Sequence, residues 1–297
     1  MISVVIPTRN RAYTLEKVLP SYFQQKRVAE VVIIDDAGSD HTEAVVKKVG
    51  KKFPTVTTIY QKNKKAQGSS FGKNIGAELA KHPWVLIGED DAFLASNYTE
   101  ALLQKFEEIP DLGIASGRMI DLLPGEDPMA AIFRFGNGNP QKKIPFNFPK
   151  FSHVPDACYE GDVFLPVTHA MILTKKKYLQ AFPYDTWYAR GNGYREESDF
   201  QVQLFVHGKK ILASNSTHAM HMNRKDVPTG GHRVSVFERF ICNLRHTCYF
   251  YQKYYKSLAK KLPLPKFQSV ALFKFACAEI GEIAGAIPTA LRKRIFR

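Results

Sequence analysis

The stretch VLIGEDDAFL, residues 85–94, sets three carboxylates (Glu89, Asp90, Asp91) directly behind one apolar run and ahead of another. A short Val/Leu/Ile run reads as a strand buried on both faces, and acids at its C-terminal end reach the crevice where open α/β sheets bind ligands. Glu89 and Asp91 are two positions apart, so in an extended chain they point the same way. Hard divalent cations prefer such oxygen ligands, and Mg2+ held by one or two carboxylates completes its shell with water and substrate phosphates. Taken alone, an EDD triplet is more often a capping or solvated acidic loop, so the surrounding sequence has to decide.

Working outward, strand candidates at 2–6, 30–34, 56–60, 84–87 and 112–116 alternate with helix candidates at 13–25, 41–49, 70–81 and 97–109. That is an α/β chain with a mainly parallel sheet and helices on both faces. Asn97 and Glu100 stand at capping-box spacing, and Pro110 stops that helix. Residues 118–166, rich in Pro, Gly and Asn, read as a long irregular excursion over the sheet. A strand at 167–174, a helix at 195–207 closed by Gly208, the strand ILASNSTHAMHM and a loop with Gly230, Gly231 and Arg233 follow.

Consecutive βαβ units bring the strand C-termini to one edge, so PTRNR, DDAGSD and EDD are expected together. Asp36 could there accept hydrogen bonds from a base or a ribose hydroxyl, and Asp40 could cap the next helix. No GxGxxG follows the first strand and no GxxxxGK[ST] occurs, which excludes the dinucleotide fingerprint and the P-loop. In an extended STHAMHM, His218 and His221 face opposite sides, and His218 is expected to be the structural one.

The 297 residues carry a formal charge of +14, which favours anionic partners. Cys158, Cys242, Cys248 and Cys277 form no CxxC pair, and the first residues read as a strand rather than a signal peptide, so a cytoplasmic setting is expected. Residues 235–297 hold twelve Lys or Arg against three Glu, interleaved with aromatics in YFYQKYYKSLAKK. Lys274, Glu279 and Glu282 interrupt the apolar run SVALFKFACAEIGEIAGAIPTAL, which makes it a poor membrane span. The division expected is a domain over 1–234 and a basic helical appendage over 235–297, lying peripherally on an anionic membrane surface. The alternative for the appendage is a helical unit packed on the core with its basic face solvated; nucleic acid is not an expected partner.

Several motifs, in order, resemble the inverting, GT-A-fold (Rossmann-like) glycosyltransferases of family 2. VVIPTRNR is similar to their opening strand, EVVIIDDAGSDHT to their second, and GSSFGKNIGAELA to their small-residue helix. LIGEDDAFLASNY resembles their metal-binding DxD segment, YREESDFQVQLFVHGKKI the helix that begins with their acidic base, and AMHMNRKDVPTGGHR their metal-binding His and flexible Gly-Gly-x-Arg loop. The resemblance covers about residues 1–234.

This resemblance implies that Pro7, Thr8, Arg9, Asp36, Asp90 and Arg233 bind the nucleotide part of a nucleoside-diphosphate sugar. It implies that Asp91, Glu89 and His221 hold Mn2+ or Mg2+, although Glu89 stands where Asp is usual. Glu197 matches the catalytic base; Trp187, Tyr194, Glu196 and His169 are candidate acceptor contacts. A base opposite the leaving group implies single displacement with inversion. The acceptor expected is a saccharide, a lipid-linked saccharide or a cell-surface glycan precursor. A sugar nucleotidyltransferase would need a Gly-rich loop after the first strand, which IPTRNRAYT lacks; a non-catalytic membrane or RNA binder would use the basic tail alone.

Overall fold

The computed structural model describes residues 1–137, 145–227 and 235–286. Its first elements are β1 (Ile2–Thr8), α1 (Ala12–Phe23), β2 (Val28–Asp35), α2 (Thr42–Gly50), β3 (Thr57–Lys62), α3 (Ser69–Leu79) and β4 (Trp84–Ile87). Next come β5 (Ala92–Leu94), α4 (Tyr98–Glu108), β6 (Leu112–Asp121), α5 (Pro128–Asn137), β7 (Phe146–Asn147), β8 (Ser152–His153) and β9 (Val163–Phe164). The chain continues through β10 (Ile172–Lys175), α6 (Lys176–Ala181), a 3-10 turn (Thr186–Ala189), α7 (Glu196–Val206), β11 (Lys210–His221), α8 (Val236–Ala259) and α9 (Gln268–Ala286).

Nine strands form one sheet in the order β3-β2-β1-β4-β10-β6-β11-β5, with β9 also paired to β11. β1 lies parallel to β2 and β4, β2 to β3, and β6 to β11; β10, β5 and β9 run antiparallel to their neighbours. Both faces of the sheet are apolar because both are covered. Val4, Ile6, Val31 and Ile33 pack with Leu15, Tyr22, Val46 and Leu102 on one side. Val5, Val32 and Ile34 pack with Ala77, Leu179, Phe200 and Leu204 on the other.

The small residues of α3 explain how closely it sits on β1. A Cβ at Gly76 would overlap Val5 Cγ1, and one at Gly72 would meet Pro7 Cβ at 3.0 Å. Only glycine at these two positions, four apart on one helical face, lets the helix approach the strand this closely.

Three local expectations are corrected. The strand expected at 112–116 runs on to Asp121, because β11 supplies a partner for both halves across a register shift between Ala213 and His218. The strand expected at 167–174 shrinks to β10: the Gln201 amide of α7 takes up the Thr168 backbone, accepting from its N–H at 2.7 Å and donating to its carbonyl at 3.3 Å. No capping box opens α4, since the Asn97 amide instead accepts from Thr217 Oγ1 at 2.8 Å and donates to the Ser216 carbonyl at 3.1 Å. A capping box does open α8, between Ser235 and Glu238. Among its described residues the excursion holds α5 and the β7–β8 hairpin.

α8 buries Phe250, Tyr251 and Leu258 against Phe151, Val202 and Ala213. Its Lys253 bridges Asp185 at 2.8 Å and Asp199 at 2.6 Å, which turns Asp199 of α7 away from catalysis and into the α8 contact. α9 packs on α8 through the Asn243–Glu279 hydrogen bond of 2.9 Å and leaves Val270, Phe273, Cys277 and Ile280 exposed. No helix among the described residues is long and apolar enough to cross a membrane.

The seat of α3 on β1 makes a testable demand. Gly76→Ala should destabilise the protein by about 1–3 kcal/mol through overpacking. Gly281→Ala, where a Cβ meets nothing within 4 Å, should stabilise α9 by about 0.5–1 kcal/mol. Thermal melts of both variants check this, and an unchanged midpoint for Gly76→Ala would contradict the close seat.

Candidate active site

The C-terminal ends of β1, β2 and β4 open into one cleft of about 440 Å³. Pro7, Thr8, Arg9, Asp36, Glu89, Asp90, Asp91, Glu197 and His221 all line it. Arg233 lies outside the described residues.

The acidic loop after β4 is fixed through its backbone, which frees its side chains. The buried Tyr22 hydroxyl donates to the Glu89 carbonyl at 3.0 Å and accepts from the Glu89 N–H at 3.1 Å. The Asp91 carbonyl accepts from Met222 N–H at 2.8 Å, and β11 pairs His221 with Ala92 of β5. Together these bring His221 to the loop, with Nε2 3.3 Å from Asp91 Oδ1. His218, on the other side of β11, sits 2.8 Å from an Arg118 guanidinium nitrogen, the structural role expected for it.

Glu89, Asp91 and His221 each offer one ligand atom, and these atoms lie within 4.8 Å of one another. Two carboxylates and an imidazole form a donor set that Mg2+ or Mn2+ accepts. The electrostatics fit a bound cation. Burial would raise Asp91, yet His221 and Arg11 hold it down to about 2. Burial would lower His221, but Asp91 and Glu89 raise it to about 9, so in the metal-free protein a proton supplies the positive charge. Burial raises Glu89 despite His221. Asp90 is pushed up to about 7 by burial and by Asp91; it accepts from Thr8 Oγ1 at 2.7 Å.

Asp36 is buried and already occupied. Its carboxylate accepts from the Asn63 amide at 3.0 Å and from the Gln67 and Gly68 N–H groups at 2.8 Å each, so it holds the rim loop ahead of α3. His41, not Asp40, is the N-cap of α2; Asp40 stands one residue earlier and accepts from Thr42 N–H at 3.2 Å and from Ala12 N–H at 2.9 Å at the start of α1.

Opposite the metal trio, α7 presents Glu196 and Glu197 to Lys73 of α3. Lys73 is 2 % exposed, and its Nζ lies 2.7 Å from Glu196 Oε1 and 2.5 Å from Glu197 Oε1. Ser70 donates to the second Glu196 oxygen at 2.5 Å. The two carboxyls separate in acidity. Burial opposes ionisation of Glu196, but Lys73 and Ser70 hold it below the ordinary value. Burial pushes Glu197 up to about 7, with Lys73 opposing and Glu196 adding to the rise.

A second cleft of about 320 Å³ adjoins the first and shares Ser69, Ala189 and Glu197 with it. Tyr194, Glu196 and His169 line this second cleft; Trp187 lines neither, because it stacks on Tyr249 of α8 at 4.0 Å between ring centroids. His169 has both ring nitrogens engaged, Nε2 with the Gly117 carbonyl at 2.7 Å and Nδ1 with the Met171 N–H at 3.2 Å.

The family model described as Glycosyl transferase family 2 matches residues 3–160, more than half of the chain. The chain belongs to that family. An uncharacterized glycosyltransferase of Haemophilus influenzae is 34% identical to this family 2 chain over 113 residues, 38% of this chain and 36% of the relative. A Campylobacter jejuni GalNAc(5)-diNAcBac-PP-undecaprenol beta-1,3-glucosyltransferase is 34% identical over 108 residues, 36% of this chain and 35% of the relative. The matched stretch thus spans little more than a third of these curated relatives. Among solved structures, the mannosyltransferase PcManGT of Pyrobaculum calidifontis with GDP-Man and Mn2+ matches at TM-score 0.57 and 16% identity, covering 99% of this chain and 78% of its own. TarS 1-349 of S. aureus with UDP-GlcNAc matches at TM-score 0.58 and 15% identity, covering 85% and 66%. Both likenesses are of fold, and they make the family 2 chain GT-A in architecture.

Arg11 and Lys73 also line the first cleft, and the sequence did not single them out. Arg11 Nη1 lies 2.6 Å from Asp91 Oδ2 and 3.4 Å from Asp90 Oδ1. The signal for Lys73 was present: it follows Ser70 by three residues, on the side of α3 that carries the packed glycines.

A carboxyl whose folded pKa lies above its unfolded value favours folding in its neutral form. Glu197 therefore contributes stability below about 4.5 and loses it as pH rises through about 7. Glu197→Gln should melt above the native protein at pH 8, with the gap closing toward pH 5; a gap independent of pH would remove the raised pKa.

Proposed function

We propose that this family 2 chain transfers a sugar from a nucleoside-diphosphate sugar to an acceptor hydroxyl, by single displacement with inversion. The observation that carries the reading is the pairing, in one cleft, of the Glu89–Asp91–His221 trio with the Lys73-held Glu197. A nucleotide sugar presents a diphosphate anion and an electrophilic C1, and the cleft offers cations and metal ligands for the first and a base for the second. The GDP-Man and Mn2+ bound by the Pyrobaculum neighbour support the donor class and the metal.

In this mechanism the base and ribose lie against Pro7, Thr8, Arg9 and the loop held by Asp36. Glu89, Asp91 and His221 would hold Mn2+ or Mg2+, which when bound would supply Lewis-acid neutralisation of the departing diphosphate. Arg11, 2.6 Å from Asp91, would add a second positive charge for the diphosphate, the role proposed for Arg233 as well. Glu197 accepts the acceptor hydroxyl proton as that oxygen bonds to C1; the C1–O bond to phosphate breaks and its electron pair leaves with the diphosphate. A pKa of about 7 suits a base that works near neutrality. Lys73 and Glu196 keep the carboxylate in position.

The acceptor proposed is a saccharide or a lipid-linked saccharide at the cytoplasmic face of a membrane. The relative named for an undecaprenol-linked acceptor supports this. So does α9, whose exposed Phe273 and Ile280 lie on one helical face with Lys266 and Lys274 nearby, the pattern of a helix lying on an anionic bilayer. In this reading the appendage, described over 235–286, buttresses α7 through α8 and meets lipid through α9.

Metal-dependent release of nucleoside diphosphate from a panel of nucleotide sugars tests the function. Glu197→Gln should lower transfer by about 10²–10⁴-fold while donor binding stays close to native. Asp91→Asn should weaken Mn2+ affinity by more than the roughly 10–100-fold that loss of a supporting group costs. Full turnover in either variant would contradict the mechanism. Phe273→Glu with Ile280→Glu should reduce co-sedimentation with anionic lipid vesicles; undiminished binding would remove α9 from the membrane contact.

A further inference from the structure

A buried carboxylate on α9 stands apart from both clefts. Glu279 is 4 % exposed and lines neither of them. Taking a carboxylate out of water is costly, and a buried one persists where well-placed partners offset that cost. Glu279 has two: its Oε1 lies 2.6 Å from Lys150 Nζ, and its Oε2 accepts from the Asn243 amide of α8 at 2.9 Å.

Each partner leads to the turn ahead of α7. The Asn243 side-chain oxygen accepts from the Asn192 amide at 2.8 Å, and the Asn192 side-chain oxygen accepts from Tyr194 N–H at 3.3 Å. The Lys150 carbonyl accepts from the Arg195 guanidinium at 2.5 Å. Phe275, buried four residues before Glu279 on the same face of α9, lies under that guanidinium at 5.4 Å and 6.1 Å from the Tyr194 ring. Two routes from one carboxylate therefore end on consecutive residues, Tyr194 and Arg195.

That turn needs holding. Arg195 has φ 81°, and Gly191 and Gly193 stand at 136° and 72°. A non-glycine residue is kept in such a conformation by its surroundings rather than by its own preference. The Arg195 carbonyl accepts from Asp199 N–H at 2.7 Å, the first bond of α7, so the backbone at Arg195 sets where the helix begins. Glu197 is the second residue of that helix. A misplacement of roughly 1 Å in a reacting group lowers a rate by about 10²-fold.

We propose that Glu279 is a positioning residue for the transfer: through Lys150 and Asn243 it fixes the turn 192–195 and, with it, Glu197 at the junction of the two clefts. This rests on the transferase reading above and makes α9 part of the framework that holds the base. The competing role is an anchor that ties α9 to α8 and leaves the turn as it is.

The test uses the full chain with Glu279→Ala, which loses both routes, and Glu279→Gln, whose side-chain oxygen can still accept from Asn243 while the charge facing Lys150 is gone. A cooperative melt confirms that each is folded. Amide hydrogen exchange followed by 15N NMR reads the turn independently of activity, with β1 amides as the reference for global opening. The Glu196 and Asp199 amides, bonded to the Gly193 and Arg195 carbonyls, should exchange faster in Glu279→Ala than in the native protein, with Glu279→Gln between. Steady-state transfer reads the base: kcat should fall about tenfold or more in Glu279→Ala, with donor KM within about twofold of native, and recover in part in Glu279→Gln. Faster exchange confined to α9, an unchanged kcat in Glu279→Ala, or a loss expressed wholly in donor KM would overturn the proposal. Should Glu279→Ala not fold, Glu279→Gln decides on the same readouts, and native exchange at both amides with native kcat would overturn it. If the native protein transfers no sugar, that counts against the transferase reading, and the exchange readout alone decides whether Glu279 holds the turn.

Discussion

Lys73 stands between two helices that the sheet alone would not bring together. Its ammonium reaches Glu196 and Glu197 on α7 from the side of α3 that carries Gly72 and Gly76. A triad this deep is maintained only with Lys73 in place, since removing it would leave the buried Glu196 charge uncompensated. The seat of α3 against β1, the N-terminal turn of α7 and the wall between the two clefts therefore depend on one another. The triad is also unequal: Ser70 adds a hydrogen bond to Glu196 and none to Glu197, so one carboxyl is held ionised and the other is left near neutrality.

That inequality divides the labour of the site. The carboxyl that can take up a proton lines both clefts, at their junction. On one side lie cations and the Glu89–Asp91–His221 trio; on the other lie hydroxyls, an amide and imidazoles. Arg195 links this junction to the C-terminal helices. It precedes Glu196 in a left-handed conformation, φ 81°, which costs a non-glycine residue about 1–3 kcal/mol and persists only where the surroundings enforce it. Its contacts to Thr247, Phe250 and Phe275 show that α8 and α9 are among those surroundings.

The alternating strands and helices of the first 120 residues were legible because hydrophobic runs and loop acids carry that pattern locally. That the residues after β1, β2 and β4 share one cleft was legible for the same reason, since strand C-termini in a parallel sheet share an edge whatever the details. Contacts far apart in sequence were not. Asn97 reads as a helix cap but serves β11, and Thr168 reads as strand but is claimed by a side chain on α7. Glu279 reads as a charge interrupting an apolar run, so nothing local marks it as buried. Lys73 was written plainly in the small-residue helix, yet its role requires knowing that α7 lies across from it.

The most direct measurement of this account is the titration of the glutamate carboxyls by 13C NMR of the metal-free protein. One glutamate should titrate near pH 7 and vanish from the spectrum of Glu197→Gln, while Glu196 titrates below the ordinary glutamate value. If no glutamate titrates above about pH 6, or if the elevated one is Glu196, the Lys73 triad does not set the base that the transfer chemistry requires.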